Sequence, residues 1–377
     1  MITGYEANPR RQAELSLAIG RELVTSYQRV IERKDVDIVV ITCDPRDKAQ
    51  MVEAAAAAGK HIFLNKPLCE SLDSARQIER TVERYPIQFV YDIPMVRSVP
   101  VYARMQQELW DGKYGQILSY YHRFSMNFPL DFDLQSTWPE RLDPVDKSGG
   151  GELTNMGCYP LDYVVSLFGV PRTVTAKWRK LWDVYYQANV EHFGQVILDY
   201  GSFFAVLEIG KQQLVGEHRH SNAITINFEH QILVIDVPAK QVSINNVATD
   251  FDQFAKGATA TNSLDQLVLA IESDIQPKSN LQNAVRATET LMAVYTSIVE
   301  ERTVELPLKS GKNPLISWTR FLGSWYSSAW SSNLTLNGIY VYHRRIDLSE
   351  PMAVKIIGAG DLNGNTDSTP PMRTMLL

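Results

Sequence analysis

The chain is poor in cysteine. Cys43, Cys69 and Cys158 are its three cysteines among 377 residues, odd in number and widely spaced. That argues against a disulfide framework or a cysteine-built zinc site and fits a reducing cytoplasm. Long apolar runs are also missing, and nothing reaches the ~20 residues of a membrane span. The opening residues, MITGYEANPRRQ, lack the apolar centre of a signal peptide. Positive charge is not in excess: the net charge is -6, and no basic face for nucleic acid is indicated. Internal repeats are absent. What is present is ordinary for a globular protein, with 45% hydrophobic and 21% charged residues. The length suffices for two domains with sizeable cores.

The first part of the chain alternates strands and helices. Residues 1–6 read as a short strand, and Asn8-Pro9 opens a helix through about Ile19, with Asn as cap and Pro at the first helical position. Tyr27 to Lys34 reads as a second helix. Val36 to Thr42 (VDIVVIT) is rich in β-branched residues and predicts a strand buried on both faces. Asp44-Pro45 breaks it, and Asp47 to Ala58 predicts a helix closed by Gly59. A strand over 61–64, a helix over 71–84 and a strand over 87–91 follow. This alternation predicts a parallel, doubly wound α/β sheet.

After about Pro94 the pattern changes. A helix over 99–110 and a strand over 115–125 lead to Gly149-Gly150-Gly151 and a helix over 153–168. Short strand candidates then crowd together at 173–180, 192–200, 203–210, 222–228, 231–237 and 240–245. They predict an α+β domain on a large, mostly antiparallel open sheet. Residues 281–301 read as a long closing helix. The expected division is a Rossmann-like domain over 1–95, an α+β substrate or oligomerisation domain over 96–308, and a linker or cap over 309–351. That last segment holds three of the seven tryptophans (Trp318, Trp325, Trp330) within thirteen residues.

In a doubly wound sheet, ligands bind beyond the carboxyl ends of the strands. The strand ending at Thr42 carries Cys43-Asp44-Pro45 to that edge, and the strand ending at Leu64 carries Asn65-Lys66-Pro67. A lysine so placed can donate a hydrogen bond to a substrate hydroxyl and favour its ionisation during hydride loss. Most loop lysines are simply solvated, so position is what raises Lys66 above that reading. Arg97, just after the last strand of this part, suits either a substrate oxygen or a surface ion pair. His218 and His220 lack the cysteine or acidic company of a metal site.

Two stretches resemble the Gfo/Idh/MocA oxidoreductases, the glucose–fructose oxidoreductase and inositol dehydrogenase type. "AGKHIFLNKP" (Ala58 to Pro67) is similar to that family's AGKHVxxEKP, and "GGGELTNMGCYPLD" (Gly149 to Asp162) to its GGGxLxDxGxHxxD. "MVRSVPVYARMQQELWDGKYGQI" looks like its entry into the second domain. The resemblance spans roughly residues 1–308. It implies that Lys66 is the catalytic lysine and that Asn155 and Tyr159 occupy the family's acidic and histidine positions. Asn155 cannot take a proton as a carboxylate can, but can orient a hydroxyl. Tyr159 beside Lys66 is expected to act as acid or base if the cation lowers its pKa. Asn65 replaces the usual Glu. The family also implies NAD or NADP as cofactor, a sugar or polyol substrate, and a homo-oligomer paired through the antiparallel sheet.

The usual opening strand and GxGxxG are missing from the head of the chain. Residues 1–6 are similar to the family's second strand, which puts Glu6 where an acidic residue holds the adenosine ribose. Glu6 favours NAD, whereas Arg10 and Arg11 suit a 2′-phosphate. "MAVKIIGAGDLNG" (Met352 to Gly364) supplies an apolar strand, Gly358 and Gly360. Joined tail to head, Gly364 and Glu6 stand 19 residues apart, close to the ~20 of such domains. The expectation is a circular permutation, with residues 352–377 starting the Rossmann unit and Val354 to Ile357 lying between residues 2–5 and 37–41. The competing reading is a chance glycine-rich tail or a gene-boundary artefact. Asp44, Pro45, Asn65, Lys66, Glu6, Gly358 and Gly360 are the cofactor candidates. The function expected is hydride transfer between a nicotinamide and a sugar or polyol; the alternative is a non-catalytic nucleotide or sugar binder of the same fold.

Overall fold

Two helices, α1 (Pro9–Ile19) and α2 (Tyr27–Ile31), precede strand β1 (Ile38–Ile41), whose four residues are all β-branched and favour extended backbone. The computed structural model describes residues 3–318, apart from 25, 95–98, 129–143, 181–184, 186–187, 215–219, 259–261 and 276–279, together with 353–355 and 374–376. After β1, Asp44-Pro45 starts a single turn that leads into α3 (Lys48–Ala57). Gly59 then reverses the chain at φ +71 and feeds β2 (His61–Asn65). Ser71 caps α4 (Leu72–Arg84), which returns the chain to β3 (Phe89–Asp92). The order β1-β2-β3 is parallel throughout. The carboxyl ends of β1 and β2 therefore open on one edge.

Helix α5 (Pro100–Trp110) leads into β4 (Ile117–Phe128). Three helices follow: α6 (Val145–Ser148), α7 (Glu152–Asn155) and α8 (Cys158–Phe168). The remaining strands are β5 (Thr173–Arg179), β6 (Phe193–Asp199), β7 (Phe204–Leu214), β8 (His220–Phe228), β9 (Ile232–Asp236), β10 (Gln241–Ile244) and β11 (Val247–Asp250). Helices α9 (Phe251–Ala255), α10 (Ser263–Ser273) and α11 (Asn280–Glu300) come next, then β12 (Val304–Glu305). The large sheet runs β11-β10-β9-β8-β4-β7-β6-β5-β12. It is antiparallel except at its centre, where β4 and β7 are parallel. α11 buries Ala284, Ala287, Leu291, Val294 and Ile298, spaced three and four apart, and packs on α8, α4 and β5. One continuous apolar cluster joins Ile62 and Leu64 of β2 to Leu207 of β7 and Ile224 of β8.

The expected α/β and α+β pattern is present, but two strand expectations change. β1 is not buried on both faces: Val40 is 57% exposed, and among the described residues β1 pairs with β2 alone, at the edge of a three-stranded sheet. Of the strand expected over residues 1–6, the described residues 3–6 show one parallel bridge, Tyr5 with Val24. Of the tail segment expected between residues 2–5 and 37–41, the described residues are 354–355, and residues 356–357 lie outside the described residues. Ala353–Lys355 (β13) pairs antiparallel with Thr374–Leu376 (β14), with Val354 opposite Met375. Gly358 and Gly360 lie outside the described residues. Residues 1–320 form one compact unit and 321–377 another. Residues 309–318, read from sequence as the start of a linker or cap, thus belong to the first unit.

Candidate functional site

The β2 ladder ends at Asn65, opposite Asp92 of β3. The next amide, Lys66 N–H, still donates to the Asp92 carbonyl at 3.1 Å, so the Lys66 backbone is anchored while its side chain leaves the sheet edge. Its ammonium donates to Asn155 twice, to the backbone carbonyl at 2.9 Å and to Oδ1 at 2.6 Å. It also lies over the Tyr159 ring, 5.3 Å from the centroid. Three sequence-predicted residues, Lys66, Asn155 and Tyr159, are thus brought together from two motifs far apart in the chain. Lys66 is half-buried and Asn155 exposed, so a solute can reach the pair.

Tyr159 is 7% exposed and packs against Phe124 at 5.4 Å between ring centroids. Burial pushes its phenol pKa well up, and Cys158 and Asp92 push the same way. This corrects the expectation that the cation lowers it. Lys66 faces the ring rather than the hydroxyl oxygen, so desolvation of the phenolate decides. A phenol in that state keeps its proton and acts as a hydrogen-bond donor.

Close approach fixes the loop that carries Asn155. Gly149 sits at φ +77, and a Cβ there would stand 2.7 Å from the Glu70 backbone. A Cβ on Gly151 would stand 1.9 Å from the Glu191 carbonyl. Glu191, fully buried, accepts from Gly151 N–H, from Leu153 N–H at 2.9 Å and from the Tyr295 hydroxyl at 2.9 Å. Burial raises its pKa despite those donors. Asn313 Nδ2 bridges both motif loops, donating to the Glu70 and Gly149 carbonyls at 2.7 Å each.

Sequence reasoning missed Lys48, Glu152, Glu191 and Asn313. Lys48 is 1% exposed. Its ammonium donates to the Asn65 and Pro67 carbonyls, on either side of Lys66. Burial lowers its pKa to about 8, against the smaller upward pull of Cys43, Cys69 and Cys158. A signal existed: Lys48, Val52 and Ala55 share the buried face of α3. Glu152 is 2% exposed and pairs with Lys211 at 2.8 Å.

The other predicted residues are dispersed. Asp44 precedes the turn after β1 and stands 3.9 Å from Lys147; the neighbouring Arg46 pairs with Asp146 at 3.0 Å. Pro45 begins that turn. Asn65 contributes its carbonyl to Lys48. Glu6 accepts from Asn8 N–H at 2.9 Å and faces Arg11 at 3.9 Å, at the start of α1. Arg97 and His218 fall outside the described residues. Among the described residues no cluster of side chains suits a metal, and no helix is long and apolar enough to cross a membrane. For a dinucleotide, the described residues fit the reactive end: an open edge with Lys66, Asn155 and Asp44-Pro45. They include no glycine turn for a pyrophosphate, since Gly358 and Gly360 are not among them.

Comparison with known proteins places this two-sheet chain in a family. Residues 3–92 match the family described as "Oxidoreductase family, NAD-binding Rossmann fold", and residues 102–233 match the "GFO/IDH/MocA C-terminal domain". The chain belongs to the Gfo/Idh/MocA oxidoreductase family. Levoglucosan dehydrogenase of Pseudarthrobacter phenanthrenivorans is 26% identical over 46% of this chain and 44% of its own. The scyllo-inositol 2-dehydrogenase (NADP(+)) of Bacillus subtilis is 22% identical over 49% of each. The chain thus spans about half the length of the curated relatives it matches. Among solved structures, the WlbA dehydrogenase from Bordetella pertussis in complex with NADH and UDP-GlcNAcA is 15% identical. It superposes with a TM-score of 0.69 over 82% of this chain and 90% of that one. Levoglucosan dehydrogenase with NADH and levoglucosan gives 0.66 at 17% identity over 81% and 90%. At these identities the likeness concerns the fold.

Proposed function

We propose that this protein is an NAD(P)-dependent oxidoreductase acting on a CH–OH group of a sugar or polyol. The observation that carries the reading is Lys66, held at the mouth of the β2 edge by Asn155 and Tyr159. The curated relatives are named for levoglucosan and scyllo-inositol, which are polyhydroxy substrates. A bound nicotinamide would accept the hydride from the carbinol carbon. Asn155 takes two of the three N–H donors of Lys66, leaving one for a substrate oxygen. That donor stabilises the charge that develops on the oxygen as its proton leaves. The Tyr159 phenol is a neutral donor on the same side, and exposed Asn155 can orient a second hydroxyl.

Two further parts of the reading are proposals of the same kind. The outward face of the large sheet pairs two copies, because Tyr121 (41% exposed), Ile197 (45%) and Phe204 (45%) form an apolar strip across it, beside the Arg123–Glu208 pair. The three free cysteines suit a reducing cytoplasm.

The test is Lys66→Ala, assayed with NAD⁺ and NADP⁺ against hexoses, anhydrosugars and inositols. Turnover is expected to fall by about two orders of magnitude or more, while NADH affinity, read by fluorescence, changes less. Unchanged turnover would remove Lys66 from the chemistry. Binding of NADH with no turnover by the wild type on any of these substrates would favour a non-catalytic binder.

A further inference from the structure

Asn155 stands where the family resemblance places an acidic residue, and its orientation is set from below. Its Nδ2 donates to Glu152 Oε2 at 3.0 Å. An amide with its NH₂ group committed to a carboxylate must present its oxygen on the other side, and Oδ1 is the atom that faces Lys66 at 2.6 Å. The flipped amide would aim NH₂ at an ammonium and oxygen at a carboxylate. Glu152 is itself held: Lys211 pairs with Oε1 at 2.8 Å, and the Tyr185 hydroxyl donates to the same oxygen at 2.7 Å. Oε2 is the oxygen that receives Asn155. We propose that Glu152 is the positioning residue of this site, a carboxylate moved one hydrogen bond back that holds the Asn155 oxygen on Lys66. The proposal rests on the reading of Lys66 given above.

Burial is the largest influence on the Glu152 carboxyl and pushes its pKa up. The Lys211 charge and the donors Lys211, Tyr185 and Asn155 together outweigh it and hold the pKa below the ordinary value. The other titratable groups around it are His192 and Tyr295, with Glu191 behind Tyr295. On the far side of Asn155 stand Lys66 and Tyr159. The Asn155 amide therefore links the Glu152 charge to the Lys66 ammonium.

A reciprocal exchange tests this. Glu152→Gln lets the Asn155 amide turn over, and turnover should fall by about tenfold or more, as for a misplaced catalytic contact. Asn155→Asp made in that background restores the arrangement. The amide introduced at position 152 can donate to the carboxylate introduced at position 155, and one carboxylate remains. It should recover most of the loss. Asn155→Asp made alone sets two carboxylates about 3 Å apart and should bring no such gain. Equal effects of Asn155→Asp with and without Glu152→Gln would overturn the proposal. If Glu152→Gln fails to fold because Lys211 faces a neutral partner, Glu152→Gln/Lys211→Met removes both charges and serves as the background. A second readout needs no substrate. In Asn155→Asp alone, one carboxyl of the close pair keeps its proton above the unfolded value. The folded state then binds more protons, and stability falls as pH rises from about 4. The double exchange should lack that fall relative to wild type; the same slope in both would also overturn the proposal. Failure of Lys66→Ala to change turnover would instead strike the reading of Lys66 and leave this carboxyl titration standing.

Discussion

Lys48 is the residue whose role is least expected from its type. A lysine beside an alanine run reads as a solvated helix start, yet its ammonium is spent on the two carbonyls that flank Lys66. Its pKa of about 8 means that the unfolded chain binds more protons than the folded one between about 8 and the ordinary lysine value. Stability should therefore rise with pH through that window. Lys48→Met should reduce the rise, to which Lys180, also lowered by burial to about 8, contributes the rest, and turnover should drop because the Lys66 turn loses its anchor. Thermal midpoints of both proteins at roughly pH 7 and pH 9.5 give the comparison; equal slopes would contradict the role. At this scale Lys66 was legible from sequence, since a strand end announces its position. Lys48 left only its place on the buried face of α3, and the pairing of Glu152 with Lys211 leaves no periodic trace.

The elements follow local chemistry closely where propensity and burial agree. Helix α4 has a serine cap whose oxygen accepts from Ser74 N–H, and it buries Leu72, Ala75 and Ile78 on one face. Ser71→Ala should cost about 1 kcal/mol. It should also loosen the chain between Lys66 and α4, read as a lower denaturant midpoint with an unchanged slope. A larger change in slope than in midpoint would point to a role beyond the cap. The six strand candidates over 173–245 match β5 to β10 within a few residues, because alternation of buried and exposed side chains is a strand signal that tertiary contacts reinforce. An apolar strand with glycines behind it resembles the start of a Rossmann unit, but pattern alone does not choose a pairing partner, and β13 pairs antiparallel with β14.

On the scale of the whole first unit, one sheet builds the edge and the other builds the platform. Gly149 and Gly151 press the second motif against Glu70 and Glu191, and Asn313 ties both loops from residues far downstream. The outward face of the large sheet carries a row from Tyr121 across Val206 to Ile197. If two copies pair there, Ile197→Asp should convert the assembly to a monomer without unfolding it, as sedimentation velocity and circular dichroism would record. An unchanged sedimentation coefficient would exclude that face.

The sequence by itself determined the alternation of elements, the two-sheet architecture and the place of Lys66. These depend on backbone preference, side-chain periodicity and the rule that parallel strands deliver their ends to one edge. Only the tertiary structure decided what Lys66 touches, the protonation of Tyr159, the burial of Lys48 and the partner of the tail strand. Each of those is set by desolvation and by hydrogen bonds between residues distant in sequence, whose energies exist only once the chain has brought them within about 3 Å.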